Sequence, residues 1–337
     1  MRSKFRYSLE NFRGVAIIFV MLSHILSIQF MGGASNYLFF FLVDATAWFV
    51  FISGYLFYYL EVNKFKYADY LYKKIKYVVL PYLILSVPAI VVGLYFSRHV
   101  LYDLTPLNYV IWSLLTGGMV VAPMWFIPMI VIFFLLTPFF NFLAKSKYIY
   151  VVTFAGLLFS ILSSRPVHNA NPVLSFLHFA GFYLLGIVAA KNIKFLDGMA
   201  SSVKTKIIFV SIAVFLVAGF LYPGIESESG SFYEALGMVN YIIVGKLALL
   251  IAIFFAFEQY LDQRRESLGY LAKISFGLFF IHGFMTQVFG KFLQNIDYYS
   301  PFVKLIAEIV VVVFVSIVVV YVMKLLLGKW SRYVVGC

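Results

Sequence analysis

The sequence predicts an all-α integral membrane protein of about ten transmembrane helices with both termini in the cytoplasm, and three observations carry that prediction. Of its 337 residues, 63% are hydrophobic and only 12% charged, with a mean hydropathy of +0.96. Soluble domains run to about a quarter charged, so this chain has too few charged side chains to dress a water-facing surface. The apolar residues fall in runs close to the ~20 that a helix needs to cross the hydrocarbon core, far longer than the ~10-residue strands of outer-membrane barrels. Lys and Arg then alternate from side to side between those runs, as a bundle that starts in the cytoplasm requires.

The predicted spans cover approximately 12–31, 38–60, 78–96, 123–144, 148–164, 172–190, 207–223, 237–258, 274–293 and 303–327. The first thirteen residues are polar and basic and precede a run long enough to span, so no cleavable signal peptide is expected. Basic residues from Arg2 to Arg13, Lys64 to Lys76, Lys145 and Lys147, Lys191 to Lys206, Arg264 to Lys273 and Lys324 to Arg332 fall on the inner side, 21 of the 26 in all. The outer loop around Glu226, Glu228 and Glu234 is purely acidic. Between the third and fourth spans, Asn108 to Gly118 is apolar but too short to cross, and is expected at the outer interface or as a re-entrant piece.

No repeat, low-complexity tract or soluble domain is evident, so residues 1–337 read as a single membrane-embedded domain and the bundle itself must do the work. The net charge of +12 would suggest nucleic acid in a soluble protein; here the basic residues serve topology, and the expected partner is the bilayer, not nucleic acid. The single cysteine, Cys337, rules out an intrachain disulfide or a thiolate metal site. No metal and no tightly bound cofactor are expected.

An ionisable side chain inside a span costs several kcal/mol and is a functional candidate by default. The sequence has few: His24 in the first span, Lys246 in the eighth, His282 in the ninth and Glu308 in the tenth, with Asp44, Arg165, His168 and His178 nearer the outer ends. Arg13 and His24 are eleven residues apart, which at 100° per residue is three turns plus about 20°, so they share a helix face at about 16 Å separation. One elongated ligand could touch both. The structural alternatives are a snorkelling anchor for Arg13 and an interhelical hydrogen bond for His24.

The stretch Leu9-Glu10-Asn11-Phe12-Arg13-Gly14-Val15-Ala16, with His24 after ten residues, resembles the opening motif of the integral-membrane acyltransferase 3 family. The resemblance continues in Trp48-Phe49-Val50-Phe51-Ile52-Ser53-Gly54-Tyr55-Leu56, in the Lys-rich stretch from Tyr67 to Pro81-Tyr82, in Met124-Trp125-Phe126-Ile127-Pro128 and in the helix from Ser275 to His282. Each motif alone is weak; five in order across ten spans make a specific pattern. The resemblance implies a bacterial inner-membrane enzyme that takes an acyl group, usually acetyl, from cytoplasmic acyl-CoA and passes it to a carbohydrate hydroxyl, with Arg13 and His24 functional and His282 at a recurring position. The extracytoplasmic hydrolase-like domain that some relatives carry is not expected here.

The residues fit that chemistry. Acyl transfer from a thioester to an alcohol needs a base, and a neutral histidine suits the task near pH 7; His24 is the best-placed candidate. Ser23 points about 100° away from it, so direct transfer is favoured, with an acyl-histidine relay as the open alternative. A cytoplasmic mouth with Arg13, Lys73, Lys74 and Lys76 would attract the phosphates of CoA, although lysines beside a span also serve as topology anchors. Trp48 and Trp125 read first as belt or packing residues and second as sugar-stacking surfaces. Asp44 and Glu308 could support a histidine or bind the acceptor, or pair with Arg165 or Lys246. The expected function is O-acylation of a surface polysaccharide, O-antigen or other exported glycan. A membrane transporter of a lipid-linked glycan or polysaccharide is the rival reading, against which stand the Arg-to-His spacing with its basic mouth and the lack of inverted-repeat symmetry.

Overall fold

The computed structural model describes residues 5–29, 34–118, 121–166, 169–224, 236–294 and 300–337. His168 and the acidic stretch of Glu226, Glu228 and Glu234 lie outside the described residues. All the regular elements among the described residues are helical. In chain order they are α1 (Tyr7–Gln29), α2 (Ala34–Leu42), α3 (Thr46–Leu56), α4 (Tyr67–Lys74), α5 (Leu80–Tyr95), α6 (Arg98–Leu101), α7 (Pro106–Thr116), α8 (Phe126–Leu135), α9 (Thr137–Lys145) and α10 (Ile149–Ile161). Then come α11 (Pro172–Lys191), α12 (Ile193–Gly198), α13 (Ser201–Leu221), α14 (Tyr241–Tyr260), α15 (Glu266–Gln294), α16 (Pro301–Leu327) and α17 (Ser331–Val334). Short π turns (Phe57–Glu61, Ile75–Val79) and 3₁₀ turns (Val62–Lys64, Ala122–Trp125, Gly328–Trp330) extend several of them.

By length and composition eight helices among the described residues are able to cross a membrane, or nine if α8 and α9 form one span bent by 56°. The expected fifth span is α10, which is helical and apolar but only 13 residues long. Each expected segment thus coincides with an apolar helix. The bend between α8 and α9 has a local cause: Pro138 has no backbone N–H to give the Phe134 carbonyl and its ring crowds that carbonyl, and the chain leaves helical geometry at Leu136, with φ −86° and ψ 7°. The second expected span, 38–60, is divided into α2 and α3 by a turn in which Asp44 adopts φ 60°, a left-handed conformation that Asp tolerates better than most residues.

α1 sits at the centre, packed on α15 and also touching α2, α3, α14 and α16, while α3 pairs with α11 and α13 with α14. Close approach explains the glycines of two motifs. A Cβ on Gly14 would collide with the backbone carbonyl of Leu268 on α15, and one on Gly54 with the carbonyl of Tyr183 on α11, whose Gly186 reciprocates against Phe51. Small residues of this kind let membrane helices bring their backbones together where lipid supplies no hydrophobic drive. Exposed apolar side chains such as Phe209, Leu216 and Phe220 on α13, and Val310, Phe314 and Leu325 on α16, make these the outward-facing helices.

The two ends of the bundle are chemically distinct. At one, Arg6 pairs with Asp197 beyond α11 and, at 2.8 Å, with Glu258 at the close of α14. The Ser8 hydroxyl donates to Glu258 as well, and the Asn11 amide donates to the Leu261 carbonyl at 2.8 Å. The hydrogen bond to Asp197, with Glu258 beside it, holds the Arg6 guanidinium above its ordinary range. At the other end, the Asn240 amide before α14 donates to the Ser163 carbonyl after α10 at 3.1 Å. α14 therefore runs from the Ser163 end to the Arg6 end.

Candidate active site

α1 is unbroken from Tyr7 to Gln29, so Arg13 and His24 stand on one helix as their spacing predicts. Phe12, Ala16, Ile17, Val20, Met21 and Ile25 around them are buried, whereas Arg13 and His24 keep part of their surface uncovered. Arg13 and His24 are thus only partly covered by the surrounding protein.

At the Arg6 end, Arg13 is within electrostatic reach of Glu10 and Lys74. The Lys74 ammonium lies over the rings of Tyr70 (5.1 Å) and Phe134 (4.8 Å), with Glu61 near it. The other two candidate lysines are elsewhere. Lys73 is exposed, and Lys76 turns to Tyr333, 4.9 Å from its ring, and to the Tyr72 hydroxyl at 3.5 Å. Of the three, the structure brings only Lys74 to Arg13.

Eleven residues further along, the His24 ring lies 5.4 Å from that of His282 on α15, with an interplanar angle of 47°. His282 is buried, and its Nδ1 is 2.8 Å from the Leu278 carbonyl. A carbonyl only accepts, so Nδ1 carries the proton and Nε2 keeps its lone pair; among the described residues Nε2 has no hydrogen-bond partner. The turn over Ala122–Trp125 buttresses this place, because Val121 and Pro123 pack directly on Gly283. Trp125 stacks on Phe179 at 5.9 Å and 24° and is buried. Trp48 is fully buried between Phe12 and Phe19, at 5.8 and 4.9 Å, with the Lys246 ammonium 5.6 Å from its ring. Both tryptophans are packing residues in this arrangement and present no free face to a sugar.

Asp44 and Glu308, the remaining candidates, separate. Asp44 pairs with Arg165 at 3.0 Å. Glu308 is buried against Gly290, eight residues or about two turns beyond His282 on α15. One pair escaped the sequence reading: Ser163 Oγ lies 2.9 Å from Nδ1 of His178, both side chains fully buried. No spacing rule finds it, since the chain leaves α10, turns and enters α11 between the two.

An apolar helical bundle whose central helix and its neighbour bring two histidines together, His24 partly covered and His282 buried, defines a multi-pass membrane protein. The chain belongs to the acyltransferase 3 family, whose model, described as an acyltransferase domain, matches residues 6–325. It is a membrane acyltransferase. No curated protein and no solved structure matches the chain significantly.

Proposed function

We propose that the protein is an O-acyltransferase of the bacterial inner membrane that moves an acyl group, acetyl in the first instance, from cytoplasmic acyl-CoA to a hydroxyl of a surface polysaccharide, O-antigen or other exported glycan. The observation that carries this reading is the placement of Arg13 and His24 on one face of the central helix, with His282 5.4 Å from His24, in a chain of this family. Arg13 and Lys74 are the cations that meet the CoA phosphates, by charge-assisted contacts suited to anionic oxygens.

His24 takes the proton from the acceptor hydroxyl as that oxygen attacks the thioester carbonyl. The new ester C–O bond forms, the C–S bond breaks, and the proton passes from His24 to the departing sulfur of CoA. His282 keeps its Nε2 lone pair and, with its ring 5.4 Å from that of His24, orients His24 or receives the proton from it. No serine nucleophile is required.

Mass spectrometry of the surface glycan from a deletion strain and from the same strain complemented with the gene tests the assignment. The expected difference is one acyl unit per modified residue. Identical glycans from the two strains, with the protein inserted and folded, would remove the glycan as acceptor.

A further inference from the structure

A second polar cluster occupies the Ser163 end of the bundle, away from Arg13. The Asp44 carboxylate, 3% exposed, meets Arg165 Nε at 3.0 Å, while the Arg165 side chain is 27% exposed and is the cluster's open edge. Lys246 is fully buried on α14, where its ammonium donates to the Phe41 carbonyl and is within electrostatic reach of Asp44. His178 is also fully buried; Ser163 engages its Nδ1, the Ser160 hydroxyl donates to its carbonyl, and its Nε2 has no hydrogen-bond partner among the described residues. Arg165 is within electrostatic reach of both His24 and His178, so the cluster adjoins the histidine pair.

Charge accounting gives this arrangement a meaning. Among the described residues two cations, Arg165 and Lys246, surround the single carboxylate of Asp44. An uncompensated charge at this depth costs several kcal/mol, as does a buried polar atom with no partner. Arg165 Nε stands 3.0 Å from the Asp44 carboxylate as an ion pair without hydrogen-bond geometry, and the Arg165 side chain stays 27% exposed, so its planar guanidinium can turn to a carboxylate or phosphate. A part-exposed guanidinium at the edge, a buried lysine behind it and an imidazole nitrogen with no hydrogen-bond partner among the described residues form a receptor for an oxygen-rich anion. CoA is not that ligand, because its phosphates are drawn to Arg13, about 16 Å along α1 from His24.

We propose that Asp44, Arg165, His178 and Lys246 form the acceptor subsite, and that the acceptor carries a carboxylate or phosphate next to the hydroxyl that is acylated. Arg165 reads the anion, Asp44 fixes the Arg165 side chain, and His178 Nε2 takes a sugar hydroxyl. The inference rests on the acyl-transfer reading above and deepens it.

The test uses the full-length protein in nanodiscs, acetyl-CoA, and glycan purified from the strain that carries the gene and deacylated with mild alkali. Three forms of glycan are compared: untreated, carboxyl-reduced, and dephosphorylated with hydrofluoric acid. Wild type should acetylate the untreated form and lose about tenfold or more in kcat/KM on one of the other two, which tells a sugar acid from a phosphate. Arg165→Gln should raise KM for untreated glycan about tenfold or more, with kcat within a factor of about three and acetyl-CoA binding within a factor of about two. If Arg165→Gln does not fold, the double variant Asp44→Asn/Arg165→Gln, which leaves no carboxylate stranded, is read in the same way. An unchanged KM in the folded variant, or equal acetylation of all three glycans, overturns the subsite. A fall in kcat with KM unchanged overturns it too, because Arg165 would then act on the transition state. If wild type transfers no acetyl group to any form, the acyl-transfer reading itself fails and this inference falls with it.

Discussion

A neutral imidazole accepts a proton only through a nitrogen that is not already donating. His282 meets that condition at Nε2, because Nδ1–H is committed to the Leu278 carbonyl. His24 is partly covered as a residue whereas His282 is fully buried, and under the proposed reaction His24 is the ring that meets the acceptor hydroxyl. If His24 is the base, His24→Ala lowers turnover by about 10²–10⁴-fold while acyl-CoA still binds. The measurement is activity per folded molecule in nanodiscs, with Tm taken on the same sample; a stable His24→Ala protein within a few-fold of wild type would transfer the role to His282. Arg13→Ala should instead weaken acyl-CoA binding by about 1–3 kcal/mol, the worth of a charge-assisted contact. Equal affinity in wild type and Arg13→Ala would return Arg13 to a membrane anchor. The Arg13–His24 relation was legible because one regular helix converts spacing into direction. The sequence reading groups Lys73, Lys74 and Lys76 with Arg13, and only the structure separates Lys74, beside Arg13, from Lys76, which turns to Tyr333. The partnerships of His24 with His282 and of Ser163 with His178 were not legible, since they depend on how separate helices pack.

At the scale of elements, the ten apolar runs foretold the helices because twenty uncharged residues have few other fates. Where a run broke was harder to see. Asp44 reads as one charged residue in an apolar stretch, yet it ends α2 and turns the chain toward Arg165; only its positive φ and its ion pair reveal the break. Glycines carry a clearer message once their neighbours are known. At Gly14 an added methyl group meets the Leu268 carbonyl, which belongs to helix backbone and cannot swing aside. Gly14→Ala should therefore push α1 off α15, destabilise the protein by about 1–3 kcal/mol as overpacking does, and lower activity by displacing Arg13 and His24. Gly198→Ala is the control, since nothing lies within 4 Å of a Cβ built there. Equal Tm values for the two variants would show that the α1–α15 contact tolerates a side chain.

Across the whole molecule, the positive-inside pattern and the packing bear on the same question by independent routes. The pattern assigns Arg6, Lys191 and Arg264 to one side and Arg165 to the other from sequence order alone. The packing joins Arg6 to Asp197 and Glu258 at one end, and Asn240 to Ser163 at the other, which requires α14 to cross between them. The sequence pattern assigns 21 of the 26 basic residues to the same side as Arg6, and the positive-inside bias would retain that side in the cytoplasm. Both termini are thus expected in the cytoplasm, with the stretch from Glu226 to Glu234 outside. Fusions of a reporter active only in the cytoplasm, and of one active only outside it, test this after Cys337 and between Glu226 and Glu234. Cytoplasmic activity at the first site and external activity at the second are expected. External activity after Cys337 together with cytoplasmic activity between Glu226 and Glu234 would mean an inverted bundle and would place Arg13 and Lys74 on the side without acyl-CoA, so the donor could no longer be a cytoplasmic thioester.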